Sequence, residues 1–525
     1  MDATNEGNVY LVVGGGIAGS TCAIELSRLS PSSQVILVSP SSNIKTLQDL
    51  EQITPSVGIV HVQDRSADDF SVKYPRVKLV CDKVVSVDPT LSQAKLSSGQ
   101  SVYFFRCCVA TGASPAIACV HPRVIGIRDT ESVENMKKLL SDAKTVLIVG
   151  NGGIAMELVH SLVSTKACQV VWAVRNSYIG NTFFDASASA FFLQSIASGA
   201  QSGPRSPTRA PAHRREVAAT ASVGPDWASQ EFHGTPQEAQ PDRTRSSQSL
   251  LDIQYECELS GVCDGDTCPL SATLTNGVCV KCDFVISATG VHPRTDVLSS
   301  DFERGRDGGL RVNETMRVVR SDGDGALADN VFAAGDCCCL EWPQRESDHW
   351  FQVRLWRQAR ATGLYAAQCM TDSVDELGSG GAFELFVHAT NFFGFQVTLL
   401  GRFNGQGLEV GCSSIQDVMS HHKVCVDGDL SSRPTCHHES IHITAGSSNI
   451  QVLIRTTPGS EYIKATPAFL MFQVHVVDGQ LRGAMLIGKT GLEETLENLI
   501  LSGTDISHIG EDLLNPEVDI EDFFD

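Results

Sequence analysis

A chain of 525 residues exceeds what one hydrophobic core holds, so two to four domains are expected, and with 42% apolar against 19% charged residues most of it can fold. Its 40 basic and 61 acidic side chains leave a net charge of −21, a field that repels phosphate backbones and argues against direct nucleic-acid binding. No run reaches membrane-spanning length and no basic, apolar leader opens the chain; with 18 scattered cysteines, this predicts a reduced cytoplasmic or nuclear protein with no membrane segment.

The first element is a strand-like run at residues 9–13, ending in Gly14-Gly-Gly-Ile-Ala-Gly19. A helical pattern over 20–29 and a second apolar run over 34–38 follow, which is βαβ. Gly14 allows a tight turn, Gly16 lets the backbone approach a pyrophosphate, and Gly19 lets helix and strand close-pack, with the phosphate on the helix N-terminus. Ala18 stands within the same turn, and Val84 is counted with these residues as a candidate nucleotide contact. A lone GxGxxG is weak evidence, but the flanking strand and helix strengthen this one. The acidic ribose ligand expected after the second strand is replaced by Ser39, which keeps a hydrogen bond but loses its charge assistance. Lys45 falls in a predicted loop over residues 41–47.

A second copy begins at residues 144–149 and continues Gly150-Asn-Gly152-Gly-Ile-Ala155-Met-Glu157 into a helix, with another apolar run over 169–174. Ala155 is the permitted small substitute for the third glycine, so the chain is predicted to bind two nucleotides. Arg175 occupies the position of the NAD-selecting carboxylate. It either accommodates a 2′-phosphate, which predicts use of NADH or NADPH, or is a solvated surface arginine.

Residues 199–249 turn to Pro, Ser, Arg, Ala and Gln and predict a mobile insertion. A second interruption, 411–448, carries several histidines and cysteines, with His438 and His442 at HxxxH spacing; no CxxC accompanies them within it, and no metal site is assigned. A helical segment over 350–370 precedes a C-terminal α+β region with strand-like runs at 395–400 and 472–477 and a helix over 491–501. The acidic end, 517–525, is a solvated tail or a docking peptide anchored by Ile520, Phe523 and Phe524.

Two further strings, Ala110-Thr111-Gly112 and Ala288-Thr-Gly290, together with Gly335-Asp336, stand in the order in which the pyridine nucleotide-disulphide oxidoreductase superfamily carries its paired ATG turns and its GD motif. The chain resembles that superfamily from residue 9 to about 370. The stretches 150–155, 179–185, 224–227, 492–500 and 510–514 resemble one group within it; the interruption at 411–448 and the apolar stretch 465–472 do not belong to that pattern.

The resemblance implies an α/β fold with two Rossmann-like domains. An FAD domain at 7–122 and 291–372 is split around an NAD(P) domain at 123–290, and an α+β domain follows at 380–525. It also implies FAD as cofactor, NADH or NADPH as co-substrate, Asp336 on the flavin ribityl chain, and residence in cytosol and nucleus. Protection of the tRNA-splicing ligase complex from oxidation comes with it. Oligomeric state stays open. Lys45 and Glu157 stand where related flavoproteins place a lysine beside the flavin ring and its carboxylate partner at the hydride-transfer face; the alternative is a surface lysine and an ordinary helix residue.

Disulfide reductases of the superfamily use a cysteine pair after the first βαβ unit or inside the NAD(P) domain. Here no cysteine lies between Cys22 and Cys81, and only Cys168 between residues 150 and 200. A thiol relay needs two adjacent sulfurs. Cys337, Cys338 and Cys339 offer another source, but buried free cysteines more often pack as small apolar groups. The expected route is direct: hydride from NAD(P)H to flavin, then electrons to oxygen, a quinone or another acceptor. The alternative is an NAD(P)H-sensing flavoprotein whose reduced state controls partner binding.

Overall fold

The computed structural model describes residues 7–54, 57–197, 219–220, 224–225, 250–265, 268–321, 326–342, 348–374, 383–393, 395–405, 409–410, 413–414, 437–445, 448–457, 470–488 and 491–514. The chain forms two units, one of residues 1–114, 213–222 and 291–386, the other of 115–212, 223–290 and 387–525. Nearly all of the expected insertion at 199–249, most of 411–448 and 465–472, and the acidic tail at 517–525 lie outside the described residues.

The first unit is built on an eight-stranded sheet. Strand β1 (Val9–Val13) runs parallel between β2 (Gln34–Ser39) and Arg106–Val109, in the register Val12↔Leu37 and Val12↔Cys108. Leu11, Val12, Leu37, Cys107 and Cys108 are all fully buried. Covering both faces of a parallel sheet turns its central strands into unbroken apolar runs, and this is why they are visible in the sequence. Helix α1 (Ile17–Leu29) packs on the sheet and against the helix Trp356–Met370, where a Cβ on Gly363 would stand 2.4 Å from the Ala18 carbonyl oxygen. That second helix starts six residues later than the pattern over 350–370 predicts. The Gln352 side chain donates to the Cys338 carbonyl and accepts from Leu340 N–H, both at 2.9 Å, which holds the residues ahead of Trp356 extended.

The loop expected at 41–47 is part of a strand. β3 (Asn43–Gln52) pairs antiparallel with β4 (Gly58–Ser66), placing Lys45 opposite Asp64. The polar sequence Asn-Ile-Lys-Thr-Leu-Gln-Asp-Leu-Glu-Gln hides the strand, because a two-stranded hairpin gains stability from cross-strand pairs and needs no unbroken apolar run.

The second unit has a five-stranded parallel sheet in the order Val124–Gly126, Phe284–Ser287, β5 (Thr145–Val149), β6 (Gln169–Ala173), Leu251–Gln254. Helix α2 (Gly153–Thr165) follows β5, and α3 (Ala186–Ala197) follows β6. The same unit holds a six-stranded antiparallel sheet, ordered Val387–Phe392, Phe395–Gly401, Gln480–Ile487, Leu470–Val477, Ser448–Thr457, His437–Ala445, against which the helix Glu493–Ser502 packs. Residues 437–445, read from sequence as part of an interruption, are therefore an edge strand. Ser440-Ile-His-Ile-Thr444 has the β-branched alternation that suits one, under histidine-rich composition that obscures it.

Candidate nucleotide sites and relatives

In the first turn Gly14 has φ +117°, and a Cβ there would stand 2.2 Å from the Ala110 carbonyl oxygen; only glycine satisfies both conditions. Gly19 carries the helix against the turn, where a Cβ would lie 1.9 Å from the Gly14 oxygen. Gly16 is different. It heads α1 in extended backbone, φ −74° and ψ −178°, and a Cβ on it meets no protein atom within 4 Å. No side chain caps the helix, so its first N–H groups face open space, the arrangement that receives a pyrophosphate.

The rest of the first-unit set gathers around this turn. Ala110 N–H donates to the Val13 carbonyl at 2.8 Å. Thr111 Oγ1 donates to the Arg294 carbonyl, and Gly112, at φ +68°, accepts from Arg294 N–H at 2.9 Å. Gly335, at φ +75°, sits under Ala18, where a Cβ would come within 2.6 Å of the Ala18 methyl, and its N–H donates to Thr362 Oγ1 at 3.0 Å. Asp336 is half-buried beside it; Arg354 Nε donates to its carbonyl at 3.1 Å and pairs with Asp307 at 2.5 Å. A narrow cleft opens here, lined by Gly335, Asp336, Trp350, Arg354 and Gln358. This cradle, in which glycines stand wherever a side chain would close the turn, fits an FAD pyrophosphate. Two candidates lie in the packed interior. Ser39 is 2% exposed beneath Gly15, its hydroxyl accepting from Ser41 N–H at 3.3 Å, and Val84 is a packed core residue opposite Leu96.

Lys45 is fixed twice by its backbone: its N–H donates to the Gly15 carbonyl at 3.0 Å and its carbonyl accepts from Ser20 Oγ. Its Nζ lies 2.8 Å from Asp64 Oδ1, the two side chains 18% and 21% exposed. Asp64 belongs to no sequence motif, since only hairpin register brings it to Lys45. Glu157 is half-buried in the second unit, one turn into α2.

The second turn repeats the geometry of the first. Gly150 has φ +137°, and a Cβ on it would stand 2.2 Å from the Ala288 oxygen. Gly152 heads α2 with no side-chain cap, Ala155 is fully buried, and Gly290 has φ +107°. Trp172 Nε1 donates to the Gly150 carbonyl at 2.8 Å. Arg175 is 74% exposed, 3.7 Å from an exposed Glu258 carboxylate, and so stands in solvent beyond the end of β6.

Among the described residues the cysteines are free. Cys337 Sγ donates to the Val109 and Ala334 carbonyls at 3.2 and 3.3 Å, and Cys338 Sγ to the Gly335 carbonyl at 3.0 Å. Burial raises their pKa values and pushes Cys339 up to about 12, so all three are thiols rather than reactive thiolates. Cys168 is likewise buried and pushed up to about 11. Cys279-Val-Lys-Cys282 is a CxxC string. On a strand its two sulfurs point to opposite faces: Cys279 is exposed, while Cys282 is buried and pushed up to about 12. No cluster of three or more metal-ligating side chains occurs among the described residues.

A family model described as pyridine nucleotide-disulphide oxidoreductase matches residues 9–198 and 251–363, the stretches that carry both glycine turns, both ATG strings and the GD motif. The chain belongs to this family. Curated relatives in Rattus norvegicus, Homo sapiens and Drosophila melanogaster, each called pyridine nucleotide-disulfide oxidoreductase domain-containing protein 1, are 34%, 33% and 35% identical to it. They cover 100%, 98% and 98% of this chain and 100%, 98% and 99% of their own length. Among solved structures, an NAD-dependent persulfide reductase from A. fulgidus has a TM-score of 0.63 at 14% identity, over 95% of this chain and 78% of that one. A water-forming NADH oxidase from Lactobacillus brevis bound to NADH has a TM-score of 0.61 at 13% identity, over 96% and 92%. These two share the fold. Family membership makes the chain an FAD-dependent NAD(P)H oxidoreductase, and the two Rossmann-like sheets are the α/β architecture expected of one.

Proposed function

We propose that this oxidoreductase takes hydride from NADH or NADPH onto FAD and passes the electrons to oxygen or another small acceptor without a cysteine-pair relay. The observation that carries the reading is the duplicated turn: in each unit the first glycine lies against the alanine carbonyl of its own Ala-Thr-Gly string, ahead of an uncapped helix. The first turn holds FAD and the second the nicotinamide dinucleotide. Bound flavin supplies the chemistry of accepting hydride and releasing electrons. Lys45, held by Asp64, stabilises negative charge on the flavin, and Glu157 lines the nicotinamide end of the second site. The raised thiols around Gly335 support a route that bypasses sulfur.

Anaerobic titration with NADH tests this. Bleaching of the flavin band at one equivalent of NADH per FAD is expected, whereas a second equivalent consumed with the appearance of new titratable thiols would show a redox-active disulfide and end the direct route.

Residence in cytosol and nucleus and protection of a tRNA-splicing ligase complex from oxidation complete the reading. Resemblance in the stretches 150–155, 179–185 and 492–500 supports it, and the net charge of −21 favours a protein surface over RNA as the contact. Purified ligase complex incubated in air should keep its RNA-joining activity only with both this chain and NADPH present; equal loss with and without the chain would remove this role.

A further inference from the structure

The stretch Ile179-Gly-Asn-Thr-Phe-Phe-Asp185 has no task in the reading above, yet it touches the second glycine turn at one end and the six-stranded sheet at the other, all within one unit. Its near end is clamped by Asn151, the residue between Gly150 and Gly152. Asn151 Oδ1 accepts from Gly180 N–H at 2.6 Å, and its Nδ2 donates to the Tyr178 carbonyl at 2.9 Å and to Asn176 Oδ1 at 3.0 Å. Gly180 has φ +72°, and a Cβ on it would strike Phe184 at 2.5 Å and Met156 Sδ at 2.8 Å, so the segment is pressed against α2. Thr182 is exposed and its hydroxyl lies 3.7 Å from where a Cβ on Gly152 would stand, beside the open helix N-terminus.

The far end is buried. Asp185 is 0% exposed; Oδ1 caps α3 by accepting from Ala188 N–H at 3.0 Å, and Oδ2 accepts from Gln473 Nε2 at 2.7 Å. Gln473 comes from the strand Leu470–Val477, is itself 0% exposed, and its Oε1 has no partner. Phe183 stacks on His388 at 5.8 Å, and Phe183 and Phe184 meet Phe392 at 5.5 and 5.3 Å, so the segment is packed into the same sheet face. A hydrogen bond between fully buried groups costs more to break than an exposed one, because no water replaces the lost partner.

We propose that Gln473 is a positioning residue for the nicotinamide dinucleotide: through Asp185 the C-terminal sheet fixes the segment 178–185, whose Thr182 forms the second wall of the site at Gly152. This rests on the reading that the second turn takes NAD(P)H.

The test follows flavin reduction in holoprotein by stopped flow over a range of NADH concentrations. Gln473→Leu should raise the apparent Kd for NADH about tenfold, the size of one lost contact, while the limiting rate and FAD content stay within about twofold. Asp185→Asn should stay near the wild-type Kd, since a turned Gln473 can still accept from it through Oε1. Thr182→Ala should raise Kd about threefold alone and add little to Gln473→Leu, as expected of contacts acting in series. Thr390→Val, which removes an unpartnered buried hydroxyl from the same sheet, should leave Kd unchanged. A Gln473→Leu Kd within twofold of wild type, or the same rise in Thr390→Val, overturns the proposal. If Gln473→Leu does not accumulate as holoprotein, Gln473→Asn, too short to reach Asp185, takes its place with the same expectations. Gly152→Val separates the two layers of inference. An unchanged NADH Kd there overturns the placement of the dinucleotide itself, whereas loss of NADH response with an unaffected Gln473 variant overturns only the positioning role.

Discussion

Glycines of one motif differ in what a side chain at each would damage. Gly14 combines φ +117° with a 2.2 Å approach to a backbone oxygen, so Gly14→Ala should lower stability by several kcal/mol, strain and overlap adding together. Gly16 combines permissive backbone with empty space, so Gly16→Val should purify without FAD yet fold with a melting temperature near that of the FAD-free wild type. The ratio of absorbance at 450 nm to that at 280 nm, read beside the thermal melt, checks both; a yellow Gly16→Val protein would refute the first site. Arg175 belongs to the same scale. Because it is 74% exposed, Arg175→Glu should change stability by no more than about 0.5 kcal/mol while shifting preference from NADPH toward NADH in initial-rate assays.

Elements impose constraints that no single residue carries. The β3–β4 hairpin sets Lys45 against Asp64, and the Gly15 and Ser20 bonds set β3 against the first turn. Lys45→Ala should therefore slow NADH-driven flavin reduction about tenfold, the rate equivalent of roughly 1.4 kcal/mol, with the melt little changed because the pair is partly exposed. Stopped-flow rates within about twofold of wild type would remove Lys45 from the mechanism. In the strand Leu470–Val477, His475 donates through Nε2 to the Phe403 carbonyl at 3.1 Å, and burial lowers its pKa from 6.5 to about 4. Its folded-state value lies below its unfolded one, so the unfolded chain takes a proton first as pH falls. Stability is kept above pH 6.5, declines from there, and stops declining near pH 4, a loss of roughly 2–4 kcal/mol. Urea unfolding at pH 7 and 4.5 should show His475→Gln losing less stability over that interval than wild type.

At the scale of the whole molecule, charge and thiol chemistry limit what the chain engages. With 61 acidic against 40 basic side chains, its field opposes RNA, and tRNA should not be retained on the protein at physiological salt. Thiol-reactive reagents should label Cys81, Cys263 and Cys279 in the native holoprotein and leave Cys337 and Cys338 untouched until unfolding, since the first three are exposed and the last two are buried with raised pKa values. Mass-spectrometric mapping after brief alkylation distinguishes the two sets.

The sequence by itself determined both dinucleotide turns, their order, the ATG and GD strings and the lack of any cysteine pair between residues 23 and 80 or between 150 and 200. Each of these is local: a glycine where the backbone must take positive φ or approach another backbone leaves a mark a few residues long, and fully covered parallel strands leave unbroken apolar runs. Tertiary structure alone decided that Lys45 meets Asp64, that Cys279 and Cys282 face apart, that residues 437–445 are an edge strand, and that Gln473 reaches Asp185. Those facts depend on strand register and on pairings across up to 288 residues of chain. A one-residue slip in register would turn each side chain to the opposite face without altering the local sequence pattern, so no local pattern records which partner it meets.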